Sequence, residues 1–345
     1  MIYFNSDYLE GAHPALLEKL NETNMVQTVG YGEDEYCAAA REKIKAACQA
    51  PEADVHFLVG GTQTNTTVIA AILRPWQGVL SAVSGHINCH EAGAIESTGH
   101  KVITLPTTNG KITAQQVRDY VEWHKHDEST EHIVQPGMVY ISNPTEFGTV
   151  YTRGELEALH AVCKARHLPL FIDGARLGAA LYSPVCDYTL ADMAHMCEVF
   201  TIGGTKMGLL FGEAAVFSAP ELAKDFRYFV KQNGGMLAKG RLLGVQFYAA
   251  FKDGLYDRIG AEEVRLALRL RDGFRARGWT FLVESPSNQQ FPILPDALIE
   301  RLKPEFSCSH TQSFPNGMSA VRFCTSWATT DADIDALLDA VPINA

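Results

Sequence analysis

The sequence predicts an α/β protein, with a mostly parallel seven-stranded sheet in a large domain and a smaller α+β domain at the carboxyl end. Short apolar, β-branched runs recur between residues 55 and 217. Most of these runs are continuous rather than alternating, which is typical of strands that are buried on both faces. Amphipathic segments separate most of them, as crossover helices do in parallel sheets.

Seven segments have the composition of buried strands: Val55–Val59, Val79–Val83, Lys101–Leu105, Met138–Ser142, Leu170–Asp173, Val199–Ile202 and Ala214–Phe217. The last two lie too close together for a helix to connect them as parallel neighbours. We therefore expect one of them to be antiparallel.

Helices are predicted between the strands. Thr113 and Gln116 have the spacing of a capping box, and Thr152 and Glu155 repeat it. A further helix is predicted over Thr64–Leu73 and ends before a proline.

The pattern changes after about residue 231, where a smaller α+β domain is expected. Its predicted elements are a long helical stretch through the 240s and 250s, a helix over Glu262–Arg277, short strands near Thr280–Val283 and Ala320–Cys324, and a closing helix over Asp331–Ala340. We expect the large domain to span residues 1–244 and the small domain to span residues 245–345.

Composition excludes several classes of partner. The chain has 29 Lys and Arg against 40 Asp and Glu, a formal net charge of −11, which argues against a nucleic acid or an anionic membrane as a partner.

The eight cysteines form no Cys-x-x-Cys pair, so we expect neither a metal site nor a disulfide framework. With no signal-peptide pattern and no apolar run of spanning length, the sequence predicts a cytoplasmic protein.

A glycine-containing turn is the first of three segments that indicate chemistry. Gly60, Gly61, Thr62 and Gln63 follow a predicted strand and open a helix. Backbone N–H groups and the helix dipole favour a phosphate there. The spacing matches neither a dinucleotide fingerprint nor a P-loop, and an ordinary strand–helix turn is the alternative.

The second segment places Asp173 at the end of a buried strand. A buried carboxylate is costly unless it meets a cation or a hydrogen-bond donor. A protonated pyridine nitrogen is one such partner, because it keeps the ring cationic and able to accept electrons. A structural ion pair between Asp173 and Arg176 is the alternative.

The third segment places Lys206 after a hydrophobic strand and behind Gly203, Gly204 and Thr205. Small neighbours leave room for a flat ring, and desolvation lowers the pKa of a lysine towards the neutral amine that forms a Schiff base. A surface lysine in a glycine turn is the alternative. Taken in order, the three segments provide a phosphate grip, a partner for a pyridine nitrogen and an imine-forming lysine, as pyridoxal 5′-phosphate (PLP) requires.

These motifs resemble those of the PLP-dependent threonine aldolases in the aspartate-aminotransferase-like superfamily, within its group of β-eliminating lyases and aldolases. The resemblance covers nearly the whole chain and is carried by Asp173–Arg176, Gly61–Asn65, Tyr31–Asp34 and Gly203–Lys206. It implies a PLP-dependent transferase-like fold, with PLP bound to Lys206 as a Schiff base. It also implies a homodimer or homotetramer with shared active sites.

The resemblance also implies roles for single residues. His86 matches a histidine that stacks on the cofactor ring and is a candidate base, although a satisfied core histidine is the alternative. His132 resembles a second histidine placed near the substrate hydroxyl, one residue out of the simplest alignment. Ser6, Arg176 and Arg322 match the set that binds the substrate carboxylate.

Cofactor contacts follow from the same resemblance. Those expected, besides His86, Asp173 and Lys206, are Gly61, Thr62, Gln63, Arg176, Thr205 and Lys239. Lys239 is a departure: some family members have an arginine soon after a Gly-Gly-Met segment, reaching a phosphate across a subunit boundary. Here Leu237 and Ala238 follow that segment, and Lys239 or Arg241 is expected to substitute.

The implied reaction is cleavage of the Cα–Cβ bond of threonine or allo-threonine to glycine and an aldehyde. A β-eliminating lyase, an aminotransferase or a racemase could use the same three segments. A cofactor-free binding protein on the same fold is a further alternative. Glycine and an aldehyde as products would separate the aldolase from a β-elimination, which yields a keto acid and ammonia.

Overall fold

The computed structural model describes residues 1–344. Its strands in chain order are β1 (Ile2–Tyr3), β2 (Asp54–Leu58), β3 (Gln77–Ala82), β4 (Val102–Leu105), β5 (Gln135–Ser142), β6 (Leu170–Asp173), β7 (Val199–Gly203), β8 (Glu213–Phe217), β9 (Gln289–Gln290), β10 (Ile293–Pro295), β11 (Phe306–Ser307), β12 (Ser309–Phe314) and β13 (Met318–Cys324).

The α-helices in chain order are α1 (Pro14–Thr23), α2 (Glu35–Ala47), α3 (Gly61–Ile72), α4 (His86–Cys89), α5 (Ala114–His126), α6 (Arg153–Ala165), α7 (Leu177–Leu181), α8 (Leu190–Ala194), α9 (Phe226–Gln232), α10 (Arg241–Lys252), α11 (Leu255–Ala276), α12 (Asp296–Leu302) and α13 (Asp331–Ala340). None of these helices combines the length and the apolar character that crossing a membrane requires.

The central sheet has the strand order β2-β8-β7-β6-β5-β3-β4. All seven predicted strands are present, with their ends shifted by a few residues. Strand β8 runs antiparallel to both of its neighbours, and the other pairings are parallel. The predicted α/β class, the mostly parallel sheet and the antiparallel member of the last strand pair are therefore confirmed.

The topology concentrates polar side chains at one edge of this sheet. Strands β3, β5, β6 and β7 are parallel, so their carboxyl ends lie on the same side. Because β8 is antiparallel, its first residue, Glu213, pairs with Gly203 at that edge and with Leu58 of β2. Open α/β sheets bind ligands at this edge, beyond the carboxyl ends of the strands.

Local signals explain where the helices begin. Both predicted capping boxes are present, at Thr113 with Gln116 and at Thr152 with Glu155. Helix α3 differs, because it begins at Gly61 and its N-cap residue, Gly60, has no side chain to bond the first N–H groups. The amino end of α3 therefore keeps backbone donors available to a ligand.

The carboxyl-terminal part forms a second sheet, with β13 between β10 and β12 and paired also to β9. Its apolar core includes Phe274, Leu294 and Phe323. Strand β13 and helix α13 agree with prediction. The predicted strand near Thr280–Val283 is wrong, since only Phe281 makes an isolated bridge there, to Pro292.

The predicted helical stretch through the 240s and 250s is two helices. The break is at Gly254, whose φ of +67° lies in the left-handed region that glycine adopts at little cost. Helix α10, which ends before this break, packs against α1 and α2 of the large domain. The domain boundary expected at residue 244 falls within α10.

Candidate active site

A cavity of about 340 Å³ opens at the carboxyl edge of the central sheet. It is bordered by the strand ends described above, the amino end of α3 and the loop after β5. The residues lining it are Tyr8, Val59, Gly60, Gly61, Thr62, His86, Ser142, Pro144, Thr145, Glu146, Asp173, Ala175, Arg176, Thr205, Lys206, Phe211 and Glu213. All three segments singled out in the sequence contribute to it.

Asp173 forms the buried floor of the cavity. Its Oδ2 accepts hydrogen bonds from the Tyr140 hydroxyl at 2.6 Å and from Asn65 Nδ2 at 2.9 Å, and its Oδ1 accepts from the Ala175 N–H at 3.0 Å. Burial raises the pKa of Asp173, but the charge of His86 and the hydrogen bonds from Tyr140 and Asn65 more than offset this, and the pKa falls below its ordinary value. The carboxylate is therefore held ionised.

His86 is oriented by a second buried carboxylate. Its Nδ1 lies 2.7 Å from Glu91 Oε1, which also accepts a hydrogen bond from Asn65 Nδ2 at 2.8 Å. Asn65 thus joins Glu91 to Asp173. Burial lowers the pKa of His86, but the hydrogen bond to Glu91 and the charge of Asp173 outweigh burial and raise it. The shift is towards the protonated form of the imidazole.

Lys206 is half-buried in the cavity, with its Nζ 5.9 Å from the centre of the Tyr8 ring. Burial, followed by the charge of Arg176, lowers the pKa of Lys206. A lowered pKa increases the fraction of neutral amine, which is the nucleophilic form. The direction of this shift agrees with the one expected from its small, apolar surroundings in the sequence.

The turn before α3 offers an open backbone. Both glycines line the cavity, and a Cβ atom added to Gly60 or Gly61 would have no neighbour within 4 Å. Thr62 also lines the cavity, whereas the side chain of Gln63 is used elsewhere. It accepts from the Val59 N–H at 3.2 Å and donates to the Asn233 carbonyl at 3.0 Å, so it fixes the turn.

Arg176 lines the cavity, and one side of its guanidinium group is already hydrogen-bonded to a carboxylate. Its Nε and Nη2 donate to the two carboxylate oxygens of Asp7, at 2.5 and 3.0 Å. Asn288 Nδ2 donates to the same carboxylate at 2.9 Å. The alternative of an Asp173–Arg176 ion pair is not observed, because Asp7 is the partner of the guanidinium and Asp173 bonds to neutral donors. The Nη1 group of Arg176 stays available.

The amino-terminal segment contacts both arginines predicted to bind the carboxylate, although neither Ser6 nor Arg322 is among the residues lining the cavity. Arg322 donates from Nη2 to the Asn5 carbonyl at 3.0 Å and from Nη1 to Gln289 Oε1 at 3.2 Å. Ser6 lies between Asn5 and the Asp7 that holds Arg176. The Ser6 Oγ atom is buried and has no hydrogen-bond partner within residues 1–344.

His132 lies away from this site. It is exposed and ends a short 3₁₀ turn just before β5 begins at Gln135. The cavity lies beyond the other end of β5, at Ser142. At about 3.3 Å per residue, the strand separates His132 from the cavity by roughly 25 Å. The expectation that His132 reaches the substrate hydroxyl is therefore contradicted within one chain, because it sits at the amino edge of the sheet.

The substitutes expected for the family arginine also lie outside the cavity. Lys239 is exposed in the turn before α10, and it is not among the lining residues. Arg241 donates to the carbonyls of Val26 and Asn24, at 2.5 and 2.9 Å, so it secures the amino-terminal loop. Neither residue contacts the cavity of its own chain.

Sequence reasoning missed two carboxylates in the cavity, Glu146 and Glu213. Glu146 follows β5, and its Oε1 accepts hydrogen bonds from Ser142 Oγ at 2.6 Å and from the backbone N–H of His86 at 2.8 Å. Glu213 is 3% exposed, its Oε2 has no hydrogen-bond partner in the described chain, and burial raises its pKa to about 8. The sequence contained a signal that could have identified both carboxylates, namely a polar residue beside a buried strand at the ligand-binding edge.

Comparison with known proteins identifies similar chains. The model of the beta-eliminating lyase family matches residues 4–291. A low specificity L-threonine aldolase of Pseudomonas aeruginosa is 30% identical over 96% of this chain and 94% of its own length.

Solved structures agree with the fold. A threonine aldolase from Leishmania major superposes with a TM-score of 0.95 and 43% identity, covering 98% of each chain. An aspartate aminotransferase from Thermus thermophilus has a TM-score of 0.71 at 15% identity, over 99% of this chain and 90% of its own, which supports the fold alone.

Proposed function

Because the chain belongs to the beta-eliminating lyase family, we propose that it is a PLP-dependent aldolase. It cleaves the Cα–Cβ bond of a β-hydroxy-α-amino acid, threonine or allo-threonine, to glycine and an aldehyde. The observation that carries this proposal is the convergence of Lys206, the ionised Asp173 and the open end of α3 on one cavity, beside Arg176. The similarity to threonine aldolases supports the choice of bond.

The residues present fit PLP. The uncapped first turn of α3, with open space over Gly60 and Gly61, suits a phosphate group. The lowered pKa of Asp173 suits a protonated pyridine nitrogen, which needs an anion beside it. The cavity volume of about 340 Å³ is within the range of small-molecule sites.

Each part of the cofactor has a residue to hold it. Lys206 would bind it as a Schiff base through Nζ, Asp173 would hold the ring nitrogen, and His86 would cover the ring. The phosphate would take N–H groups of Gly61 and Thr62, with the Thr205 side chain nearby, while Gln63 braces the loop. When bound, PLP supplies an electron sink for the bond pair released at Cα.

The chain's own residues orient the substrate. The free Nη1 of Arg176 and the unpartnered Oγ of Ser6 provide donors for the substrate carboxylate. Arg322, on β13 of the small domain, would complete this set. Holding the carboxylate would fix the orientation of the substrate at Cα and so determine which of its bonds is broken.

We further propose a cytoplasmic homodimer or homotetramer with active sites at subunit boundaries. Lys239 and His132 are exposed and do not reach the cavity of their own chain, so a role for either requires a neighbouring subunit. The eight cysteines are all free in the structure, as a reducing compartment favours.

Product analysis tests the proposed reaction. The purified protein is incubated with L-threonine, L-allo-threonine, their D-forms and phenylserine, and glycine and aldehyde are quantified. Equal amounts of glycine and aldehyde from at least one substrate are expected. A keto acid and ammonia instead would indicate β-elimination, the reaction for which the family is named, and would overturn the aldolase assignment.

Arg322→Ala is expected to weaken substrate binding more than it slows the chemical step. Loss of a charge-assisted hydrogen bond to a carboxylate costs about 1.5–3 kcal/mol, which corresponds to a rise in KM of about 10- to 150-fold. Initial rates over a range of threonine concentrations give KM and kcat separately. An unchanged KM would place Arg322 outside the substrate site, and Arg301→Ala on the exposed side of α12 is the control.

A further inference from the structure

The reaction requires a base that takes the proton of the substrate β-hydroxyl. Within one chain His132 is too far from the cavity to serve. The ionisable side chains that line the cavity near His86 therefore provide the candidates. They are His86 itself, Glu146 and Asp173. Glu213, the other carboxylate of the cavity, pairs with Gly203 beside the loop that carries Lys206.

Two of these candidates are poorly suited. Asp173 accepts hydrogen bonds on both carboxylate oxygens, and its low pKa makes it a weak base. The Nδ1 of His86 is held by Glu91, and its raised pKa shifts the imidazole towards the protonated form, which has no lone pair to accept a proton.

Glu146 has the properties that a base needs. Ser142 Oγ and the backbone N–H of His86 both donate to its Oε1, and these two bonds fix the carboxylate beside His86. The hydrogen bonds from Ser142 and His86 both go to Oε1, and the side chain borders the cavity, so Oε2 is the oxygen available to a ligand. Burial raises the pKa of Glu146 above the ordinary carboxyl value, and the hydrogen bond from Ser142 offsets this only in part.

We propose that Glu146 is the general base that accepts the β-hydroxyl proton through Oε2. This inference rests on the proposed aldolase function. As the proton moves to Oε2, the O–H bond pair becomes the second bond of the aldehyde carbonyl. The Cα–Cβ bond breaks and leaves its electron pair at Cα, where the electron sink of the bound cofactor holds it. A proton then returns to Cα, so that glycine and the aldehyde balance the substrate.

Glu146→Gln keeps the shape of the side chain and removes the basic oxygen. We expect kcat for threonine cleavage to fall by about 10²–10³-fold. Because the base acts only when ionised, wild-type activity is lost as pH falls through the pKa of Glu146, and the variant should lack this acidic limb. Glu146→Ala with added formate should regain part of the activity, since formate supplies a carboxylate.

Two measurements separate this role from a structural one. Exchange of the glycine Cα proton with D₂O involves no hydroxyl, so its rate should stay within a few-fold of wild type in Glu146→Gln. The glycine Kd, from titration of the visible absorbance, should likewise change little. Ser142→Ala is the matched variant, since it removes one hydrogen bond to Oε1 and leaves the carboxylate, and a smaller loss of cleavage is expected.

The outcomes are distinguishable. If cleavage and glycine exchange fall together, or if cleavage is unaffected in Glu146→Gln, Glu146 is not the base. If the wild-type protein exchanges the glycine proton but cleaves no threonine stereoisomer, the proposed function fails instead, and that result needs no variant.

Discussion

Lys206→Ala is expected to abolish both turnover and the visible absorbance of the resting protein with its cofactor. Alanine has no amine to form the covalent link, and no other lysine lines the cavity in residues 1–344. Glycine formation from threonine should fall by at least about 10³-fold, equivalent to about 4 kcal/mol of transition-state stabilisation. Absorbance spectra of the purified protein and a glycine assay provide the two measurements.

The control for this variant is Lys252→Ala, which removes an exposed lysine at the end of α10. It should keep both colour and activity. Added methylamine should restore part of the activity of Lys206→Ala, because a free amine can replace the missing one. Retention of colour and turnover by Lys206→Ala would contradict the assignment of Lys206 as the lysine that binds the cofactor.

Lys206 and Asp173 were predictable because of how parallel strands are arranged. Each follows or ends a continuous apolar run, and the carboxyl ends of β6 and β7 must lie at the same edge when the strands are parallel. The two side chains therefore line one cavity although they lie 33 positions apart in the sequence. Gly61 follows the carboxyl end of a third strand, β2, and the parallel arrangement places it at the same edge.

The networks around these residues depend on tertiary contacts that no local pattern encodes. Asp7 pairs with Arg176 across a sequence separation of 169 residues, in a segment without a strong secondary-structure signal. Asn65 is a helical residue whose side chain happens to bridge Glu91 and Asp173. Such partners set the protonation states of the site, and they become visible only once the fold is known.

His132 was predicted as a site residue, but in its own chain it lies away from the cavity. Its role was implied by the resemblance alone, which indicates neither the edge of the sheet nor the subunit. Glu146, at the other end of the same strand, had a better physical claim, because it follows Ser142 at the edge where Asp173 also lies. Strand direction thus places Glu146 at the cavity edge of the sheet and His132 at the opposite edge.

Asp173→Asn is expected to slow all reactions at Cα by at least about 10³-fold while the cofactor stays bound. The carboxylate charge keeps the pyridine nitrogen protonated, and a neutral amide cannot. Asparagine keeps the size of the side chain and an acceptor for Tyr140, so it avoids the cost of leaving a buried hydroxyl unpaired. Threonine cleavage and glycine proton exchange should both fall, unlike in Glu146→Gln, where only cleavage is lost.

A cofactor analogue methylated at the ring nitrogen isolates the reason for the loss. Its positive charge is fixed, so it no longer depends on Asp173 for protonation, and it should raise the rate of Asp173→Asn above that with PLP. Tyr140→Phe is the matched control: it removes one hydrogen bond to the carboxylate but not the charge, and a loss below about 10-fold is expected. Near-normal glycine exchange in Asp173→Asn with PLP would show that the carboxylate does not act on the ring nitrogen, whatever its burial and its low pKa.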